Sequence, residues 1–285
     1  MKSEQSAAKL LLSVSAIGMA AMSPANAQSG MWISIEGGAA DFSIEGNENT
    51  FSSDRSFAIQ TGVQIGDSPY SIGLGFRHSS GDASYANYGE YAYDTPNDGV
   101  YKYYNEYGEY DRSWTTLDLE VGKDISLGQR GTGRLTLGVR YVSADVSYSY
   151  METKYYTNGY TAIQNYYSYG VSSHGIGPRI GFEGSMPIAE RVSLDFEAGA
   201  AVLFGETSFS YTAYSIYEEA VSLTLSESAT MTNLDFSAAL SYMMSPNAKV
   251  SLGYRYERMN LSDETFTKYD NREEQGAFLR LTSSF

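Results

Sequence analysis

The chain has no cysteine, so a disulfide framework, a thiol nucleophile and a thiolate metal site are all excluded. Two histidines, His78 and His174, are the whole imidazole supply of 285 residues. No acidic segment has the ligand spacing of a calcium loop, and no cofactor is expected. Bases are scarce as well, with 19 Lys and Arg against 34 Asp and Glu and a net charge of -15. That argues against nucleic acid as a partner, because a phosphate backbone is bound by basic patches. Proline is limited to 6 residues. Beyond the first 27 residues no apolar run approaches the ~20 residues of a spanning helix. This last absence excludes helical spans only, since a membrane strand is polar on one side and its mean hydropathy can be low.

Tyrosine (26) and glycine (28) are abundant, a bias that suits strands, aromatic girdles and irregular connections. At the N-terminus Lys2 and Lys9 flank the start of an apolar run from Leu10 to Met22. Pro24 and the triplet Ala25, Asn26, Ala27 follow. This order reads as a secretory signal peptide over residues 1–27, with residues 28–285 as a single exported domain.

The rest of the chain alternates with a period of two. Phe57, Ile59, Thr61, Val63 and Ile65 interleave with Ala58, Gln60, Gly62 and Gln64; after the turn at Gly66 to Pro69, Tyr70, Ile72, Leu74 and Phe76 interleave with Ser71, Gly73, Gly75 and Arg77. The same rhythm returns near residues 115–121, 135–141, 176–182, 192–204, 234–242, 250–256 and 277–285, and a weaker copy runs from Met31. About ten strands of ~9 to 11 residues are predicted, which is the length of a tilted membrane strand. Connections alternate between short turns and long Tyr-rich acidic segments, at about 79–112, 148–172, 207–230 and 260–274. Short periplasmic turns, long extracellular loops and an even strand count are the outer-membrane pattern. The expected fold is therefore all-β, a transmembrane antiparallel up-and-down barrel in the cell outer membrane, embedded in lipid and lipopolysaccharide.

Charge fixes the faces. With the apolar parity toward lipid, Arg77, Asp118, Glu120, Arg134, Arg140, Arg179, Glu183, Asp195, Glu197, Asp235, Lys249, Arg255, Glu257 and Arg280 all fall on the other parity. A base facing lipid at mid-bilayer costs about 2 to 4 kcal/mol, so one consistent parity is what energetics demands. Acids and bases are nearly balanced in this lumen set, which suits either interlocked ion pairs or a constriction with a transverse field. For Arg179 the ion-pair reading names Glu183, Glu120 or Asp195 as partner. A ring of about ten strands lies near the size that side chains fill. Trp32 and Trp114 fall on the inward parity. Tyr70, Tyr242 and Phe285 suit a periplasmic girdle; Phe76, Tyr141, Phe204 and Tyr256 suit an outer one.

The segments GIGPRIGFE (Gly175 to Glu183), TLDLEVGKD (Thr116 to Asp124) and RLTLGVRY (Arg134 to Tyr141), together with a terminal Phe285, resemble the Legionella major outer membrane protein-like family of pore-forming outer-membrane proteins. That resemblance implies an outer-membrane barrel that forms a pore. The terminal aromatic also resembles the signal read by the barrel-assembly machinery, an expected partner.

Two functions are therefore expected: a narrow porin-like channel for small solutes, or a closed structural or adhesive protein that meets host or surface ligands through its Tyr-rich loops. The two histidines sit at the loop-side ends of their strands. No nucleophile or orienting carboxylate accompanies them in a recognisable motif, so no enzyme is expected. Acids such as Glu106, Glu109 and Asp111 read as a solvated surface, and tyrosines such as Tyr107 and Tyr110 as a recognition surface or as loop packing.

Overall fold

The computed structural model describes residues 30–44, 47–89, 93–95, 99–128, 131–156, 163–215, 218–261 and 271–285. The segment read as a signal peptide lies outside these described residues. Among the described residues eleven strands follow in order: β1 (Met31–Ile44), β2 (Asn47–Gln64), β3 (Tyr70–Gly89), β4 (Tyr93–Thr95), β5 (Gly99–Leu127), β6 (Gly131–Tyr156), β7 (Ile163–Ala189), β8 (Val192–Ser215), β9 (Glu218–Ser245), β10 (Ala248–Leu261) and β11 (Asn271–Ser284). β4 is a short flap on β5. The other ten form one antiparallel sheet that closes on itself, β3 pairing with β5 on one side of the flap and β1 with β11 at the chain ends. Closure removes the lateral edges that a bilayer would leave unpaired. At the seam the Phe285 amide donates to the Met31 carbonyl at 2.8 Å.

The apolar parity faces out. Ile72, Leu74, Phe76, Leu119, Leu137, Ile180, Phe204, Leu240 and Leu252 are exposed, together with Tyr70 and Tyr242 near the short turns. Those turns are tight, and Gly66 with a φ of 56° supplies the left-handed residue that the first one requires.

Length is where the structure departs from the sequence reading. Instead of 9 to 11 residues, the ring strands run from 14 to 29, and the long connections are themselves largely built of strand. At about 3.3 Å per residue β5 covers roughly 95 Å along its path, whereas the lipid-facing apolar band of such barrels is only about 25 Å tall. Beyond the bilayer no outward apolar face is needed, and runs of Tyr, Ser and Thr keep high strand propensity without one.

The upper parts of the ring rise unequally. Pairing of β2 with β3 stops at Arg55 and Ser80, while β3 and β5 stay paired to Gly89 and Tyr104. Likewise β10 and β9 part at Leu261 and Met231, while β8 and β9 stay paired to Ser215 and Glu218. Among the described residues β3 and β5 to β9 thus form a tall curved wall, and β10, β11, β1 and β2 a lower one.

Candidate functional site in the barrel lumen

Inside the ring the strands stack chemistry in layers. Nearest the short turns lie hydroxyls and a few charges. Lys249 donates to Asp195 at 2.6 Å and Ser241 to the same carboxylate at 2.6 Å; Arg134 donates to Asp124 at 2.8 Å, lies 3.7 Å from Glu183 and stacks over Trp32. A polar cavity, about 840 Å³ including its opening, is lined here and above by Trp32, Gln60, Arg134 and Glu183.

The next layer is an interlocked charge network. Arg140 makes a two-bond fork to Asp118, both contacts at 2.7 Å, donates to Asn233 at 2.6 Å and also pairs with Asp235. Arg179 pairs with Glu120 and lies 3.2 Å from Asp235. Of the partners expected for Arg179, only Glu120 is thus engaged, since Glu183 lies by Arg134 and Asp195 by Lys249. On the other side Arg255 and Arg280 grip Glu36 and Glu197, with contacts of 3.2 Å (Arg255 to Glu36) and 2.9 Å (Arg280 to Glu36). Phe278 lies between the two guanidinium groups, its ring centroid 5.1 and 4.9 Å from them, close enough for cation-π attraction. Arg77 pairs with Glu257, and Asn233 donates to Glu257 at 2.8 Å, linking this pair to Arg140. Every lumen charge predicted from the sequence lies in the polar layer or in this network.

Several residues escaped sequence reasoning. Glu36 alternates with Ile35 in β1 and could have been counted with the lumen set. Arg112, which pairs with Asp54, and Glu274, which accepts from Ser79, lie in segments read as irregular. So does Arg272, which reaches across the barrel to the Ala144 carbonyl at 2.5 Å and the Ser173 hydroxyl at 3.1 Å.

Above this network the interior turns apolar on β5, β6, β8, β9 and β10, beside the crossing Arg272 and the Arg112–Asp54 pair. Val142, Leu203, Met231 and Met259 are 0% exposed and Trp114 2%, and with Ala144, Ala201 and Ala229 they form one cluster inside the ring. Its Trp114 indole donates to Thr116 at 3.2 Å. Still higher, the inner face of the tall wall carries stacked tyrosines. Tyr110, Tyr148, Tyr169 and Tyr211 lie directly opposite one another on β5 to β8, with neighbouring ring centroids 4.3, 6.1 and 5.0 Å apart. Tyr150 and Tyr167 stack at 4.7 Å in the next row. Burial holds the Tyr150 phenol above the usual tyrosine range, reinforced by Tyr169.

Both histidines face outward. His78 Nδ1 lies 3.0 Å from the Thr115 hydroxyl, and exposed His174 stands across from Glu206. On the same outer wall Asp145 accepts from Ser172, from Ser143 at 3.3 Å and from Ser113 at 3.4 Å.

A closed ring of antiparallel strands with an apolar outer band and a charged lumen defines an outer-membrane β-barrel. More particularly, the chain belongs to the family described as the Legionella pneumophila major outer membrane protein precursor, whose profile matches residues 30–268. No curated protein matches the chain. Among solved structures, the outer membrane protease OmpT from Escherichia coli is similar at 12% identity and a TM-score of 0.53, over 93% of this chain and 99% of that one. A major outer membrane protein from Thermus thermophilus has 14% identity and a TM-score of 0.38, over 90% and 99%. Neisserial surface protein A has 11% identity and a TM-score of 0.31, over 90% and 98%. At such identities the likeness to OmpT shows the fold alone. Family and fold together support a location in the outer membrane.

Proposed function

We propose that this protein is a closed outer-membrane barrel that works at the cell surface, its membrane part serving as a rigid stalk for the tall extracellular wall. One observation carries the reading: the buried apolar cluster of Val142, Leu203, Met231, Met259 and Trp114 fills the side of the lumen under β5 to β10, and the buried Arg272 and the Arg112–Asp54 pair reach in from β11, β5 and β2 beside it. Beneath it the charges of the network are matched by partners, which favours a lock over a path for ions. Planar-bilayer recording of the refolded protein tests this. Silence across a wide voltage range is expected, and reproducible unitary steps would overturn it.

A second reading, a narrow pore for small solutes, is favoured by the polar cavity, which reaches among the network's own charges Asp118, Arg140, Arg179 and Asp235, and by the family resemblance carried by Gly175 to Glu183. On that reading Arg179 is a constriction charge and Arg179→Ala changes conductance or selectivity. No enzymatic activity is proposed: the histidines face the outer wall, with Thr115 and Glu206 as neighbours. Unaltered lipid A and uncleaved basic peptides are the expected results, and turnover of either would refute this. Phe285 is proposed as the signal for the assembly machinery, with lipopolysaccharide as the surrounding lipid. Its deletion should lower insertion into the outer membrane, and undiminished insertion would count against that role.

A further inference from the structure

We infer that the outer face of the tall wall, directly above the lipid-facing band, packs against the sugar hydroxyls of a lipid-anchored oligosaccharide, the saccharide part of lipopolysaccharide. This rests on the reading of lipopolysaccharide as the surrounding lipid and is independent of whether the lumen conducts. On that face Ser80, Ser113, Asp145, Ser172, Ser208 and Ser226 stand directly opposite one another on β3 and β5 to β9. The row below runs in the same way from His78 to Ser228, and the two rows above run from Asp82 to Thr224 and from Ser84 to Ser222. Apart from the two histidines and Gly170, every position in these rows is Ser, Thr, Asp or Glu. From Thr115 up to Glu109 the belt covers roughly 20 Å along the strand. Near its centre Gly170 lacks a side chain between Ser147 and Ser210, and a cavity of about 630 Å³ including its opening is lined there by Asp111, Asp145, Ser172 and Ser208 as well.

The rows on either side identify the occupant. One row below the belt, Leu117, Tyr141, Ile176 and Phe204 belong to the face that meets lipid, so the belt continues that interface at the level where the sugars of the outer leaflet begin. One row above it, Tyr107, Met151, Tyr166 and Tyr214 bring apolar surface back, with Tyr107, Met151 and Tyr214 exposed and the Tyr166 and Tyr214 rings stacked 5.0 Å apart. Contact with water alone therefore does not dictate what the belt is made of. A protein partner fits poorly, because interfaces are enriched in aromatics, Met and Arg and depleted in Ser, Asp and Glu. Phosphate fits poorly as well, since the belt offers carboxylates and, among these positions, no Lys or Arg. Sugar hydroxyls fit, being donors and acceptors at once. Asp145 accepts from Ser172, from Ser143 at 3.3 Å and from Ser113 at 3.4 Å. Those bonds commit the three hydroxyl protons and leave the serine oxygens to accept from an incoming O–H.

The test uses the refolded mature chain in detergent micelles, with bound glycolipid counted by native mass spectrometry. Its probes are lipopolysaccharide with a complete core oligosaccharide, lipid A, which keeps the phosphates and lacks the core, and the free core oligosaccharide. The core-bearing form should bind at least about tenfold more tightly than lipid A, the equivalent of one or two net hydrogen bonds, and the preference should survive EDTA. Ser147→Leu with Ser210→Leu, which lines the cavity with aliphatic groups, should abolish the preference. The milder Ser147→Ala with Ser210→Ala should remove part of it, and circular dichroism checks that both variants keep the barrel. Binding of lipid A as tight as that of the core-bearing form would overturn the inference, as would a preference that EDTA abolishes, the mark of a cation bridge to phosphate. So would a preference that both double variants keep, or free oligosaccharide binding as tightly as the anchored form. Each of these removes only the saccharide belt, whereas a folded barrel that retains neither glycolipid would overturn the reading of lipopolysaccharide as the surrounding lipid.

Discussion

Replacing Arg140 by Met should be among the most damaging single changes in the lumen. The side chain is 4% exposed and holds Asp118 and Asp235, themselves 17% and 12% exposed. At an effective dielectric of about 20, a charge pair near 4 Å is worth about 4 kcal/mol, so two such contacts offset the desolvation of one guanidinium and two carboxylates. In Arg140→Met the carboxylates stay buried, and Arg179, at 3.9 Å from Asp118 and 3.2 Å from Asp235, becomes their nearby cation. Removing one partner of a buried pair costs about 3 to 5 kcal/mol, most of it the burden of the charge left behind. Urea unfolding of the refolded barrel, followed by its two tryptophans, measures the loss. Adding Asp118→Asn should restore part of it, with a coupling of about 0.5 to 3 kcal/mol. A loss under about 1 kcal/mol, or strict additivity of the two changes, would refute the view that this network is a lock.

Three further outcomes are expected. Leu203→Ala with Met231→Ala should cost about 2 to 5 kcal/mol per residue and introduce unitary conductance into a silent barrel; continued silence would place the seal in the charge network instead. Gly177→Ala should cost about 1 to 3 kcal/mol by overpacking, because a Cβ there would run into the Val202 carbonyl oxygen; an unchanged unfolding midpoint would contradict so close an approach of β7 to β8. Burial raises the Tyr150 and Tyr169 phenols, so stability should hold below the ordinary tyrosine value of about 10 and fall above it, where the unfolded chain ionises first. Absorbance of tyrosinate should then lag in the folded barrel, and superimposable titrations of folded and denatured protein would refute the shift.

What the sequence makes legible is parity. A period of two and the cost of a charge in lipid suffice to assign Arg77, Asp118, Arg140, Arg179 and Arg280 to the lumen. Height is not legible in the same way, since partners across a barrel are set by strand tilt and stagger. Arg179 therefore meets Asp235, on a strand two places away, while Glu183, four residues along its own strand, meets Arg134. The long segments failed as strands for a different reason. On β9 the apolar residues Leu234, Phe236 and Leu240 point out, whereas Val221, Leu223 and Leu225 point in. A reading that requires one apolar parity per strand sees the second set as a broken rhythm and ends the strand early.

That change of parity marks where the surroundings change. Below it the medium outside is hydrocarbon, so the oily side chains go out and the interior must hold charges that satisfy one another. Above it the medium is water, and the same strands turn Leu203, Phe209, Leu223 and Met231 inward as a soluble barrel would. On β8 the two sets meet at Leu203, 0% exposed, and Phe204, 58% exposed, above which the inward set continues at Phe209. Phe76, Tyr141 and Tyr256, read as the outer girdle, accompany Phe204 on the outward parity of their strands. The apolar cluster is thus the base of the water-side core, and on the closed reading proposed above the solvent switch accounts for the seal without a dedicated plug domain. Near the top of the tall wall Val221, Leu223 and Leu225 remain exposed, where among the described residues the pairing of the neighbouring β10 with β9 has already ended at Leu261 and Met231. Among the described residues the exposed shelf thus coincides with the stretch of β9 that has β8 as a partner and no longer β10.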